Sequence, residues 1–99
     1  MSKSSIIMGA NMLKNPHPSH PGEILSGIYL SQMGWSQTRL AEELGCAHRK
    51  VNEIVNGKRA ISPEFALDLE AVLNTEAEMW VRLQAEFDLH QARKKRDAA

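Results

Sequence analysis

The chain has 99 residues, with 12 Lys and Arg against 12 Asp and Glu, so its formal net charge is zero. That length supports one domain with a single modest core and excludes a second. The one cysteine, Cys46, excludes an internal disulfide and a cysteine-based zinc site, and the short apolar run Ile6 to Met8 is too brief for a secretory signal or a membrane span.

In chain order, residues 1–15 show no helical periodicity, and an N-terminal arm over residues 1–18 is expected to be flexible, with Met12 as an alternative start. Pro16, Pro18 and Pro21 then forbid regular pairing, while Pro21 suits the first turn of a helix and Glu23 lies where the helix dipole favours an anion. Ile24, Leu25, Ile28 and Tyr29 form an apolar stripe that continues to Met33 and stops at Gly34. A second helix opens at Ser36, whose hydroxyl can accept from a free N–H of the first turn, and closes at Gly45, with Leu40, Ala41 and Leu44 facing inward.

A third helix is predicted from about Ala47 to Asn56, with Val51, Ile54 and Val55 inward and Gly57 ending it. Ser62, Pro63 and Glu64 give a strong start signal for a fourth, which buries Phe65, Ala66, Leu69, Val72 and Leu73 and ends at Asn74. Thr75 is expected to cap a fifth, in which Trp80, Leu83 and Phe87 form one apolar stripe. A short terminal helix offers few surfaces on which to bury a tryptophan, so these residues are assigned a role shared between the core and a dimer interface. The closing ARKKRDAA reads as a basic disordered tail over residues 92–99. No β-pattern is present. The expected architecture is all-α, a five-helix helix-turn-helix domain over residues 19–91.

The second and third helices, Trp35 to Arg59, form two short amphipathic helices around a glycine turn, the second basic at its start. Solvated helices of any small domain also carry charged outer faces. Here the Ser-Gln start, the Leu-Ala pair, the Gly turn and the Asn-Gly-Lys exit agree with one motif, the helix-turn-helix that reads DNA. The outward face of the third helix carries His48, Arg49, Lys50, Asn52 and Glu53: Arg suits guanine, Asn adenine, Glu cytosine and Lys phosphate.

Charge is polarised along the chain. Residues 45–60 hold four cations and one anion, residues 61–90 one cation and seven anions, and residues 91–99 four cations and one anion. A basic motif beside an acidic half would orient the protein on a duplex and offer a site to a basic partner. His17 and His20, three apart and near Glu23, invite a metal reading, but a proline-rich lead-in is not a preorganised ligand set. No metal or cofactor is expected, and without a nucleophile–base pair, paired acids or a phosphate-cradling loop, no enzyme.

The blocks HPGEIL at His20 to Leu25, SQTRLAEELG at Ser36 to Gly45, VNEIVNGKRAISPEFALDL at Val51 to Leu69 and MWVRLQAEFDL at Met79 to Leu89 together resemble the HigA/VapI family of helix-turn-helix antitoxins of type II toxin–antitoxin modules. The middle two would also suit a phage-repressor-like domain; the outer two narrow the likeness. The resemblance implies a cytoplasmic homodimer that represses its own operon at a pseudo-palindromic operator in double-stranded DNA and neutralises a basic, RelE-like mRNA-cleaving toxin. It places Ala47, His48, Arg49 and Lys50 near bases and phosphates, with Asn52 and Glu53 one turn on. It also places Gln37 at a backbone phosphate and Asn56, Lys58 and Arg59 on phosphate beyond the helix. Ala47 departs from the family, which often has Ser or Thr there. Two alternatives stay open: a solitary regulator without a toxin, and a helical module that binds protein alone.

Overall fold

The computed structural model describes residues 17–98; the expected arm lies outside the described residues apart from its last two positions. Five helices follow. Helix α1 runs as α-helical Pro21–Ile24, π-helical Leu25–Leu30 and α-helical Ser31–Met33. Then come α2 (Gln37–Leu44), α3 (His48–Val55), α4 (Pro63–Leu73) and α5 (Ala77–Ala98). All regular structure among the described residues is helical, as the sequence predicts, and no helix is long and apolar enough to cross a membrane.

Helix boundaries follow local chemistry. Ser36 and Ser62 open α2 and α4 by accepting from the backbone N–H of Arg39 at 3.0 Å and of Phe65 at 3.1 Å. Helix α2 closes at Gly45, in the left-handed conformation at φ 71°, where the N–H of Cys46 donates back to the carbonyl of Ala41 at 3.0 Å. Asn74, at φ 59°, closes α4.

The start of α5 differs from expectation. The Thr75 hydroxyl is taken by the Trp80 indole N–H at 2.8 Å, and the first free N–H, that of Ala77, donates instead to the carboxylate of Glu70 at 2.9 Å. An anion at a helix N-terminus is favourable, so the substitution leaves both groups satisfied.

Helix α1 also departs from the simple stripe. Its π-helical turn widens the spacing, so that Leu25 and Leu30, five residues apart, are both buried. Ile28 and Met33, which regular α-periodicity would place inward, are exposed. At its far end α5 continues through the basic segment expected to be disordered. Lys95 and Arg96 lie in its last turn, where cations meet the negative end of the dipole, and no proline or glycine interrupts it.

Helix α1 packs on α3 and α5, α2 on α3 and α4, and α4 on α5. The core between them holds Leu25, Leu40, Val51, Ile54, Phe65, Leu69 and Trp80, each essentially inaccessible. Burial of each such side chain contributes roughly 1.5–3 kcal/mol. Trp80, 0 % exposed, packs at a tilt against Tyr29, with ring centroids 5.4 Å apart. It therefore has no surface to share with a second chain. Leu83 is half-buried against the same core, and Phe87 is half-buried with its ring edge-on to His20 at 5.0 Å. The expected dimer stripe Trp80–Leu83–Phe87 is thus turned to the chain's own interior, because α1 supplies the surface on which the tryptophan is buried.

Candidate DNA-binding surface

Helix α3 begins without a side-chain cap. Ala47 has the extended backbone of a capping residue, φ −69° and ψ 141°, but nothing on its side chain to accept a hydrogen bond. Cys46, beside it, is half-buried against the core and makes no cap bond. The free N–H groups of this first turn, with the positive end of the helix dipole, are the feature that an anion would meet.

The outward face of α3 is organised around Glu53. Its carboxylate accepts from Arg49 one turn earlier at 3.1 Å and from Arg59, in the loop after the helix, at 2.9 Å. The guanidinium groups of Arg59 and then Arg49 hold the Glu53 carboxyl below its usual range. Glu53 is thereby engaged as a brace for two arginines and is not presented as a lone acceptor for a base. The Arg49 side chain is almost fully solvated, so this pair is weak enough to exchange for a stronger partner.

Asn52 donates to the side-chain carbonyl of Gln37 at 3.1 Å, joining the two helices of the motif at their exposed edge. His48 and Asn56 are exposed near the two ends of α3. Lys50 departs from the group: it is half-buried, with its ammonium 5.0 Å from the centre of the Phe65 ring on α4. A cation–π contact holds it toward the domain, and its charge reaches the face from the side. At the start of α2, Arg39 lies over the Trp35 ring at 4.5 Å and pairs with Glu43 at 3.0 Å.

The loop from Asn56 to Ser62 carries Lys58 and Arg59 and is held at two points. Gly57 ends α3 at φ 74°, and its open side lies against the His20 ring, where a Cβ would sit 3.6 Å from the ring. Further on, the N–H of Ile61 donates to the side-chain carbonyl of Gln84 at 2.8 Å, and the Gln84 amide donates to Asp88 at 3.0 Å. Sequence reasoning missed both anchors. The signal for Gln84 was its position one turn after Trp80, where a polar residue on a core-facing stripe needs a buried partner. The signal for His20 was its place before Pro21, the position of a helix cap. Its Nδ1 accepts from the N–H of Gly22 at 2.9 Å.

Known proteins are similar to this chain in sequence and in the arrangement of helices over most of its length. The helix-turn-helix family model matches residues 29–80. Virulence-associated protein A of Dichelobacter nodosus is 44% identical over 79 residues, covering 79% of this chain and 78% of the relative. Antitoxin GraA superposes with a TM-score of 0.77 at 40% identity over 80% of this chain and 85% of its own. Antitoxin HigA of Pseudomonas aeruginosa, solved with the higBA promoter, gives 0.79 at 35% identity over 83% and 89%.

The uncapped start of α3 yields a direct test. Ala47→Ser places a hydroxyl on a backbone already in capping geometry and should raise stability by about 1 kcal/mol in urea unfolding; no gain would show that another group already satisfies that turn.

The sequence likeness, the shared five-helix structure and the coverage of most of each relative's length agree: the chain belongs to the HigA/VapI family of helix-turn-helix antitoxins.

Proposed function

We propose that the chain is an autoregulatory antitoxin of the cytoplasm: it binds operator DNA through α3, represses its own operon as a homodimer, and neutralises a RelE-like, mRNA-cleaving toxin. The observation that carries the DNA half is the α3 face itself. Arg49, Asn52 and Glu53 share one helix surface, and Gln37, Asn56, Lys58 and Arg59 flank it. A neighbour of the same fold, HigA of Pseudomonas aeruginosa, was solved with its promoter. In this reading Arg49 leaves Glu53 for a guanine edge, Asn52 meets adenine, and Ala47, His48 and Lys50 approach bases and phosphates at the helix start. Gln37, Asn56, Lys58 and Arg59 bind the phosphates on either side. Glu53 keeps Arg59 in place and serves as an acceptor for cytosine only where Arg49 is drawn away.

The homodimer in this proposal uses a different face from the Trp80 stripe. Leu67 on α4 is 57 % exposed and Val81 on α5 is 40 % exposed, and both line an apolar groove between these helices. Glu78 and Arg82 lie in the same groove. Opposite charges one helical turn apart are self-complementary under a two-fold axis, because each copy's Arg82 then meets the other's Glu78. The toxin half of the proposal rests on the antitoxin names of the relatives and on the seven anions of residues 61–90, which suit a basic partner.

Three outcomes are expected. The chain should bind a duplex from upstream of its own coding sequence with affinity that falls steeply with salt, and Arg49→Ala should reduce discrimination among operator variants by about 1–3 kcal/mol. Unchanged preference would remove Arg49 from base reading. Sedimentation should give a dimer for the parent and a monomer for Val81→Glu with helix content intact; a dimer that survives would move the interface elsewhere. Co-expression with the product of the adjacent small reading frame should give a stable complex and relieve growth arrest, whereas neither effect would leave a solitary regulator.

A further inference from the structure

Near the DNA-facing surface lies one buried ionisable side chain that makes none of the contacts proposed above. His20 is 5 % exposed and sits where three elements meet: the start of α1, the loop after α3, and α5. Its Nδ1 accepts the Gly22 N–H, its ring lies against Gly57, and its other side meets the Phe87 ring. Gly22 in turn is pressed so closely on α3 that a Cβ there would overlap the carbonyl oxygen of Ile54.

Resting on the DNA-binding reading, we propose that His20 is a positioning residue for the Asn56–Arg59 loop: its neutral ring holds the loop where Lys58 and Arg59 meet the DNA backbone, and protonation of the ring releases the loop and weakens binding.

The chemistry follows from the acceptor. A neutral imidazole offers Nδ1 as a lone pair to Gly22, but an imidazolium has two donors and no acceptor. Protonation therefore turns the Gly22 N–H bond into a donor–donor clash in a buried place, and the ring must turn to escape it, which breaks its hydrogen bond to the Arg59 backbone and frees the loop. The charged groups around the ring divide. Burial lowers its pKa below 6.5, whereas the carboxylates of Asp88 on α5 and Glu23 on α1, and a hydrogen bond to the Arg59 backbone in the loop, act in the opposite sense. Helix α3 presents the Ile54 carbonyl to this junction, and the Arg59 guanidinium is turned away to Glu53. Above 6.5 both held and released forms carry a neutral ring, so the contact is fully present. As pH falls below 6.5, the released form takes up the proton first, and the held form is lost progressively toward the lowered native value.

The test uses the full chain in a His48→Gln background, which removes the histidine on the proposed DNA face, with and without His20→Asn. Asparagine can still accept from Gly22 but cannot titrate. Affinity for a duplex from upstream of the chain's own coding sequence is measured at fixed ionic strength between about pH 7.5 and 5.5, the range where histidine titrates. Amide shifts of Gly57, Lys58 and Arg59 are followed without DNA, and helix content by circular dichroism. With His20 present, affinity should fall by up to about tenfold per pH unit, the limit for one proton. The loop amides should shift with the midpoint of the His20 ring resonance while helix content holds. In the His20→Asn protein both profiles should be flat.

Loop amides that ignore the ring, equal pH profiles in the two proteins, or affinity lost only as helix content is lost would each overturn the proposal. The ring and loop resonances decide it in the protein that keeps His20 if His20→Asn does not fold. Absence of duplex binding by the parent chain, with His48 in place, at about pH 7.5 would instead refute the DNA-binding reading, and the loop amides would still decide the role of His20.

Discussion

The close approach of α1 to the end of α3 is the contact on which the rest of the structure depends. Gly22 lies against the Ile54 carbonyl, where no side chain fits, and His20 closes the junction by capping α1 and standing beside Gly57. From the other side Gln84 holds the N–H of Ile61. A loop that would otherwise hang between α3 and α4 becomes part of the packed domain. The cost of ordering it is met when the domain folds, so little of it is left to be met on binding. The outer sequence blocks, HPGEIL and WVRLQAEFDL, thus have a physical role, since they supply the anchors for the segment that leaves α3.

Electrostatics on the exposed side of α3 complement this rigidity. A chain with no net charge has only local charge to offer a polyanion, and the basic stretch around α3 is balanced by an internal carboxylate. Glu53 gathers Arg49 and Arg59 onto one surface, and the exposed pairs it makes cost little to exchange for phosphate or base edges. The Gln37–Asn52 bond likewise prearranges two polar side chains across the helix-turn-helix. The exposed donors of this face are thus held on one another.

Much of this was legible in the sequence because it is local. Ser36, Ser62, Gly45 and Asn74 mark helix ends through their own backbone and side-chain preferences, and the apolar stripes of α2, α3 and α4 follow simple helical spacing. What escaped depends on tertiary partners. The π-helical turn re-phases α1, so Leu30 is buried in place of Ile28. Thr75 was a reasonable cap until the indole of Trp80 claimed its hydroxyl. Trp80 itself looked like a residue in need of a neighbouring chain, and Tyr29 and the rest of the core enclose it. Lys50 looked free for phosphate, but the ring of Phe65 lies beside it. Gln84 and His20 are polar residues whose purpose appears only when distant backbone groups are brought to them.

Native-state amide hydrogen exchange at Gly22 and Ile61 tests the central claim most directly, because these two N–H groups donate to the His20 and Gln84 side chains that hold the loop. If the junction is part of the cooperative core, both should exchange only with global unfolding, at rates matching the central residues of α3 and α4. Exchange at the rate of a solvent-exposed loop, with the helices still protected, would contradict the account.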